Sequence, residues 1–371
     1  MERRRRWTRR QVVRAAGGAA LGLTGVDVFG RETRAAPGVR TVEIALGGPQ
    51  INEGLVTIAV GQHMGYYRAE GLEVSLIPTG GSNQAVQEVA AAKIPVAFPS
   101  PDPVILGYQP DVGLRLKWFY TAYQGFIYDI RTPAGSPLRS VKDLAGKTIG
   151  VVNLASAAVP AVKGMLHENG VDPRTVSFVG IGVGAQAAGA IRAGRVDAVA
   201  VWDTIYAELD NEGINLNPRF VSPTLRSLFS NGLAVLPATL QSDRAMLVGL
   251  CRAMAKGTVW TFANPEQAVR IFWRVYPQSK PVGMGEEDAL RRSLHVLKAR
   301  LVNMSLSWVP IKKWGWNEPA RWTAYETFLY EQGILKTRVN VAQLFTNALV
   351  VDANTFDTRA IEQQARTYVL R

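Results

Sequence analysis

The chain has 371 residues, 47% hydrophobic and 19% charged, which excludes a disordered protein and leaves material for two cores of ordinary size. Its formal net charge of +12 raises nucleic acid as a partner, yet residues 1–35 hold nine arginines against Glu2, Asp27 and Glu32. Half of the surplus therefore sits at the start, the rest is spread without a dense run, and nucleic acid is not implied.

The first 35 residues read as an export signal: a basic stretch (Arg3 to Arg6, Arg9, Arg10), a weakly apolar run from Val12 to Val28, and small residues at Thr33, Ala35 and Ala36. The run Thr8-Arg9-Arg10-Gln11-Val12-Val13-Arg14 resembles the twin-arginine signal, whose cargo crosses the membrane folded. Cleavage near Ala35 and a periplasmic destination are expected. No later segment offers about 18 uninterrupted apolar residues, so no anchor is predicted beyond the signal. Cys251, alone in the chain, excludes a disulfide framework and reads as a buried small hydrophobe.

After the signal, short β-branched runs alternate with Ala-rich amphipathic stretches, the pattern of an α/β protein. A first block predicts strands near 41–46, 72–77 and 95–98 and helices near 54–67 and 83–92, the latter capped by Ser82-Asn83. Beyond Gly135-Ser136-Pro137 a second block predicts strands near 147–152, 175–181 and 197–201 and helices near 156–168, 184–193 and 203–212. From Ser242 the pattern turns to long helices near 243–263, 286–304 and 319–332, broken at Asn264-Pro265 and around Pro310. The extended segments 124–130 and 231–236 are read as crossings that form a hinge.

Three stretches carry a family resemblance. Gly65-Tyr66-Tyr67-Arg68-Ala69-Glu70-Gly71-Leu72-Glu73-Val74, then Val141 to Val151 (VKDLAGKTIGV), then Ala190 to Ala198 (AIRAGRVDA) followed by Val201-Trp202-Asp203, resemble in order the nitrate, sulfonate and thiamine-precursor branch of the periplasmic solute-binding proteins of ABC importers. The resemblance covers residues 41–236 well and the helical tail only loosely. It implies a two-lobed α/β periplasmic-binding-protein fold of type II, with the helical C-terminal tail packing on lobe 1. Lobe 1 is expected to comprise residues 36–126 plus 232–371, and lobe 2 residues 127–231. It also implies a small organic solute of sulfonate, pyrimidine or aromatic type, an inner-membrane ABC permease as partner, and a monomer.

Open α/β sheets bind ligands outside the carboxyl ends of their strands. The loop after the first strand (Gly47 to Glu53) offers Gln50 and Asn52. The loop after the second offers Gly81, Ser82 and Asn83, either a plain helix cap or a set of N–H groups and a positive dipole end for an acceptor. The third, Pro99-Ser100-Pro101-Asp102-Pro103, offers Ser100 and Asp102, and Asp102 is as well suited to capping as to ligand contact. In the second block, Asn153, Ser156 and Gln186 occupy equivalent turns, and Trp202 and Asp203 end the next strand, where the indole face can stack on a planar group. Among the aromatics Tyr120, Tyr123, Phe126 and Tyr128, Tyr123 is placed in the site. None of these loops supplies Arg or Lys, which favours an organic, hydrogen-bonding or aromatic ligand over a bare oxyanion. The tail cluster of Trp308, Lys312, Lys313, Trp314, Trp316, Arg321 and Trp322 reads as tryptophans packing tail helices onto a lobe, with solvated cations.

The same fold hosts thiamine-pyrimidine synthases and a chorismate dehydratase. The synthases use a histidine in the first lobe, a place His63 resembles, and a cysteine-rich motif that a chain with one cysteine lacks. His167 and His295 lie far apart, and no catalytic set, metal-ligand spacing or phosphate loop is evident. No catalytic residue, metal or cofactor is therefore expected, and hinge closure around a solute is the expected mechanism.

Overall fold

The structure, a computed structural model, describes residues 38–220 and 222–370, so the expected export signal and its cleavage point lie outside the described residues. Strand β1 (Arg40–Leu46) exposes Thr41 and Glu43 and buries Val42 and Ile44 before running fully buried through Leu46. It pairs in parallel with β2 (Leu72–Ile77) on one side and β3 (Val96–Phe98) on the other. The connecting helices are α1 (Val56–His63), α2 (Tyr66–Ala69) and α3 (Ser82–Ala90), and α4 (Pro101–Leu106) follows β3. The single helix expected over 54–67 is divided because Gly65 adopts the left-handed conformation at φ 73°, which ends one helix and starts the next. The expected Ser82-Asn83 cap is also corrected: Gly81 holds the cap position, no side chain caps α3, and Ser82 Oγ instead accepts the Ser100 N–H at 2.9 Å.

A further strand, β4 (Lys117–Thr121), was not expected; its Trp118-Phe119-Tyr120 run is buried on both faces and shows no period-2 alternation. A second sheet follows: β5 (Thr148–Val151) lies between β6 (Ser177–Gly180) and β7 (Ala198–Val199), all parallel. Its helices are α5 (Ala158–Glu168), α6 (Gly184–Arg192) and α7 (Asp203–Asn211). After α8 (Pro223–Ser227) the chain returns to the first sheet as β8 (Gly232–Val235), inserted antiparallel between β3 and β4 to give the order β2-β1-β3-β8-β4. The outgoing crossing at 124–130 is not a strand; it is extended backbone with one isolated bridge, Tyr128 to Trp202.

The tail comprises α9 (Pro237–Ser242), α10 (Arg244–Ala263), α11 (Pro265–Val275), α12 (Glu286–Met304), α13 (Pro319–Glu331), α14 (Val350–Ala353) and α15 (Thr358–Thr367). Asn264-Pro265, read as a break, is also a start: the Asn264 side chain accepts the Gln267 N–H and Pro265 opens α11. α10 and α11 pack on α1, and α15 packs on α10, so this part of the tail covers the first sheet. α12 does more, packing on α11 and also along α7 beside the second sheet. A core around Trp118, Trp260, Trp322 and Phe272 joins tail and first sheet, and a smaller one around Ile181, Ile191, Ile205 and Leu209 sits under the second. The tail cations are not simply solvated: Lys312 Nζ donates to the Leu306 carbonyl at 2.7 Å, and Arg321 Nε to that of Ser227 at 2.8 Å. Among the described residues no helix is long and apolar enough to cross a membrane.

Candidate functional site

The turns that follow β1 and β2 meet the turns that follow β5 and β7. Asn153 Nδ2 donates to the Gly80 carbonyl at 2.9 Å while its Oδ1 accepts the Ala155 N–H, which holds the turn. A Cβ on Gly81 would lie 3.0 Å from the Ala155 carbonyl oxygen, and one on Gly48 3.8 Å from the Trp202 ring. Glycine at these points lets backbone come close enough for the two sets of turns to face each other.

Between them lies a cavity of about 60 Å³, bounded by Gly48, Asn52, Tyr123, Tyr128, Trp202 and Arg300 among others. Trp202 is half-buried and precedes α7 as its cap residue, so its ring is presented at the seam. Tyr128 meets it edge to face, with ring centroids 6.3 Å apart. The buried Tyr123 donates from its hydroxyl to the Gly54 carbonyl at 3.0 Å, and Arg300 stacks over its ring at 4.0 Å.

The lobes also touch directly. Asn52 Nδ2 donates to Thr204 Oγ1 at 3.0 Å and to Glu208 Oε1 at 2.7 Å, and Gln50 Nε2 reaches the same carboxylate oxygen at 3.1 Å. Burial in the seam pushes the Glu208 carboxyl up to about 7, helped by the charge of Glu53 and opposed by the Asn52 and Gln50 donors. Burial likewise raises Asp203, opposed by the Arg300 cation and by bonds from Asn303 and the Thr204 N–H. Arg300 itself is buried, pairs with Asp203, and keeps its Nε without a hydrogen-bond partner.

Of the residues expected in the site, Gln50, Asn52, Tyr123 and Trp202 line the cavity, and Gly81 and Asn153 stand at the facing turns. Asp203 is near but is held by Arg300 and Asn303. The others are turned elsewhere. Ser82 supports the third loop, and Asn83 is exposed on α3. Ser100 is fully buried and donates to Asp102 Oδ1 at 2.5 Å, and burial pushes the Asp102 carboxyl up to about 6. This pair occupies the buried start of α4 and does not line the cavity, so Asp102 lies in the first turn without offering a ligand contact. Ser156 Oγ accepts the Ala158 N–H at the start of α5, and Gln186 is exposed on α6 beside Gly182. The loops supply no Arg or Lys to the cavity, but Arg300 from the tail helix α12 lines it. Its signal lies within the buried stripe of α12, where Ser293 and Arg300 interrupt Leu290, Val296, Leu297 and Leu301. Both interruptions turn inward: Ser293 donates to Glu53 at 2.5 Å, and Arg300 pairs with Asp203.

His63 bonds the Tyr368 hydroxyl at 2.7 Å and is absent from the cavity lining. His167 bonds Gln332, and His295 lies 3.3 Å from Asp210. Cys251 is buried and its thiol pushed up by desolvation, as suits a core residue. Among the described residues no group of three His, Cys, Asp or Glu side chains is placed to hold a metal ion.

The chain is 27% identical over 289 residues to the riboflavin-binding protein RibY of Chloroflexus aurantiacus, covering 77% of this chain and 79% of that protein. It is 27% identical over 220 residues to the formylaminopyrimidine-binding protein of Halalkalibacterium halodurans, covering 56% of this chain and 62% of the other. Its fold resembles that of the periplasmic aliphatic sulphonate binding protein SsuA from Escherichia coli, with a TM-score of 0.60 at 15% identity over 82% of this chain and 91% of that one. Residues 52–268, more than half of the chain, match the family described as NMT1/THI5 like, and the chain belongs to that family.

Proposed function

We propose that this chain is the exported solute-binding component of an ABC-type importer, delivering a small organic solute to a permease in the inner membrane. Lobe 1 (36–126 with 232–371) and lobe 2 (127–231) would move about the two crossings, and the solute would lie in the seam beneath Trp202. The observation that carries this reading is the convergence of groups from both sheets on one cavity: Asn52 and Tyr123 from one side, Trp202 from the other. A site built from both halves is complete only when they close, so the solute selects the closed form.

The cavity of about 60 Å³ is far smaller than the roughly 300–1,000 Å³ clefts that hold small molecules. Entry therefore requires the Gln50, Asn52 and Asn153 bonds across the seam to part. The lining favours a planar, hydrogen-bonding heteroaromatic solute over a bare oxyanion: Trp202 offers a ring face, and the charge of Arg300 is already balanced by Asp203. The unpartnered Arg300 Nε leaves a donor for a ring carbonyl or ring nitrogen. The relatives named for riboflavin and formylaminopyrimidine support the same class. The engagement of His63 by Tyr368 supports binding over turnover.

Thermal-shift and calorimetric titration of the purified chain with riboflavin, pyrimidines, alkanesulfonates and nitrate tests this. A planar heteroaromatic that binds one to one and comes back unchanged is the expected result. Binding of nitrate or alkanesulfonate alone would overturn the solute class, and a turnover product would overturn the transport role.

A further inference from the structure

A second and larger cavity, of about 470 Å³, lies behind the crossing segment Phe126–Arg131, between it, the end of α12 and the residues around α8. It shares Ile127 and Tyr128 with the seam cavity but otherwise has its own walls. Its aromatic walls are chiefly Phe126, Phe220 and Trp308, with charged residues on the remaining sides. The crossing and α12 are fastened together at its edge, where the Gly125 N–H donates to the Asn303 carbonyl at 2.8 Å, and Phe220 is tied to the crossing by its N–H to the Ile130 carbonyl at 2.9 Å.

The charges around this chamber do not cancel. Asp129 is engaged by Arg131, whose Nε and Nη2 donate to it at 3.2 and 3.3 Å and whose guanidinium also stacks on Tyr206 at 4.1 Å. Asp203 is matched by Arg300. Arg219 has only a loose 3.8 Å contact with Asp129 and a side chain 52% exposed, and the exposed Arg226 side chain has no hydrogen-bond or ion-pair partner among the described residues. One cation without a side-chain partner and one held only loosely thus stand beside aromatic walls, in a volume within the range of small-molecule sites.

We propose that this rear chamber is a second ligand site, taking a planar aromatic monoanion whose ring packs against Phe126, Phe220 and Trp308 and whose acid group is held by Arg219 and Arg226. The aromatic body supplies the apolar contact and the guanidinium forks hold the acid group through charge-assisted bonds. The site stands apart from the identity of the solute in the seam.

Naphthalene-2-sulfonate is a suitable probe, titrated calorimetrically into the full chain and into two variants. Saturable binding is expected, weakened about tenfold or more in Arg219→Gln/Arg226→Gln, which removes both charge-assisted forks. Asn52→Ala, at a residue that lines the seam cavity and not the rear chamber, is expected to bind the probe as the unaltered chain does. Both arginines are at the surface, so the double variant is expected to keep the melting temperature. Absence of saturable binding, binding indifferent to the double substitution, or binding lost with Asn52→Ala would each overturn the site.

Discussion

Arg300 Nη2 donates to Asp203 Oδ1 across 2.5 Å, joining the tail helix α12 to the first residue of α7. Both side chains are nearly inaccessible, at 4% and 11% exposure. A buried pair adds modest stability as a whole, whereas removal of one partner strands the other charge in a low-dielectric setting at a cost of about 3–5 kcal/mol. Arg300→Met is therefore expected to lose stability on that scale in urea unfolding. Arg300→Met/Asp203→Asn should recover most of the loss, because the second change removes the stranded charge and keeps a polar group for the Thr204 N–H. A double variant no more stable than the single one would locate the cost in lost packing over Tyr123 instead.

Trp202 is half-buried and its ring lies beside Gly48, so its truncation removes a cavity-facing surface and little fully buried core. Trp202→Ala is expected to weaken solute binding by about 2 kcal/mol, roughly thirtyfold in Kd, with a melting temperature close to that of the parent. Calorimetry with whichever heteroaromatic proves to bind measures this directly. Undiminished affinity would remove Trp202 from the site.

Much of this arrangement was legible in the sequence because it is local. The strands at 41–46 and 72–77, the helices at 286–304 and 319–332, and the loops carrying Asn52 and Asn153 follow from periodicity and from glycine, proline and cap residues. The direction in which a turn points is not local. Ser100 and Asp102 stand after a strand's carboxyl end, as expected, yet fold inward on each other because the start of α4 is buried. Arg300 reaches Asp203 from 97 positions away in sequence, and only the packing of α12 on α7 brings them together. A charged residue within an apolar helical stripe is the trace such packing leaves in a sequence, and it identifies the residue but not its partner.

The tail's hold on the second block rests partly on Gly164 in α5. A Cβ there would lie 2.1 Å from Phe328 Cζ and 2.5 Å from Cε2, and Phe328 is buried at 2% exposure, so the ring has little room to retreat. Alanine is the better helix former by about 1 kcal/mol, but overpacking costs typically 1–3 kcal/mol. Gly164→Ala is thus expected to lower stability, and Phe328→Leu introduced alongside it to restore part of the loss. Chemical denaturation of the two single variants and the double one reads the coupling. Additive effects would mean that the two residues do not meet.

The remaining prediction concerns pH. With the lobes together, Glu208 is enclosed by Gln50 and Asn52 near Glu53, and its carboxyl is pushed from the ordinary 4.5 up to about 7. In the proposed open form it would return to water and to its ordinary range. The closed form therefore binds the proton more tightly than the open one. Its advantage is full below about pH 4.5 and is lost as pH rises through about 7, by up to roughly 1.4 kcal/mol per pH unit in that window. Small-angle scattering should find the solute-free chain more compact at pH 5 than at pH 8. Glu208→Gln, which cannot titrate and still bonds Asn52 through its amide oxygen, should have the same dimensions at both. A variant that keeps the pH response would assign it to another group, and a parent chain that shows none would mean that Glu208 stays enclosed as the lobes move.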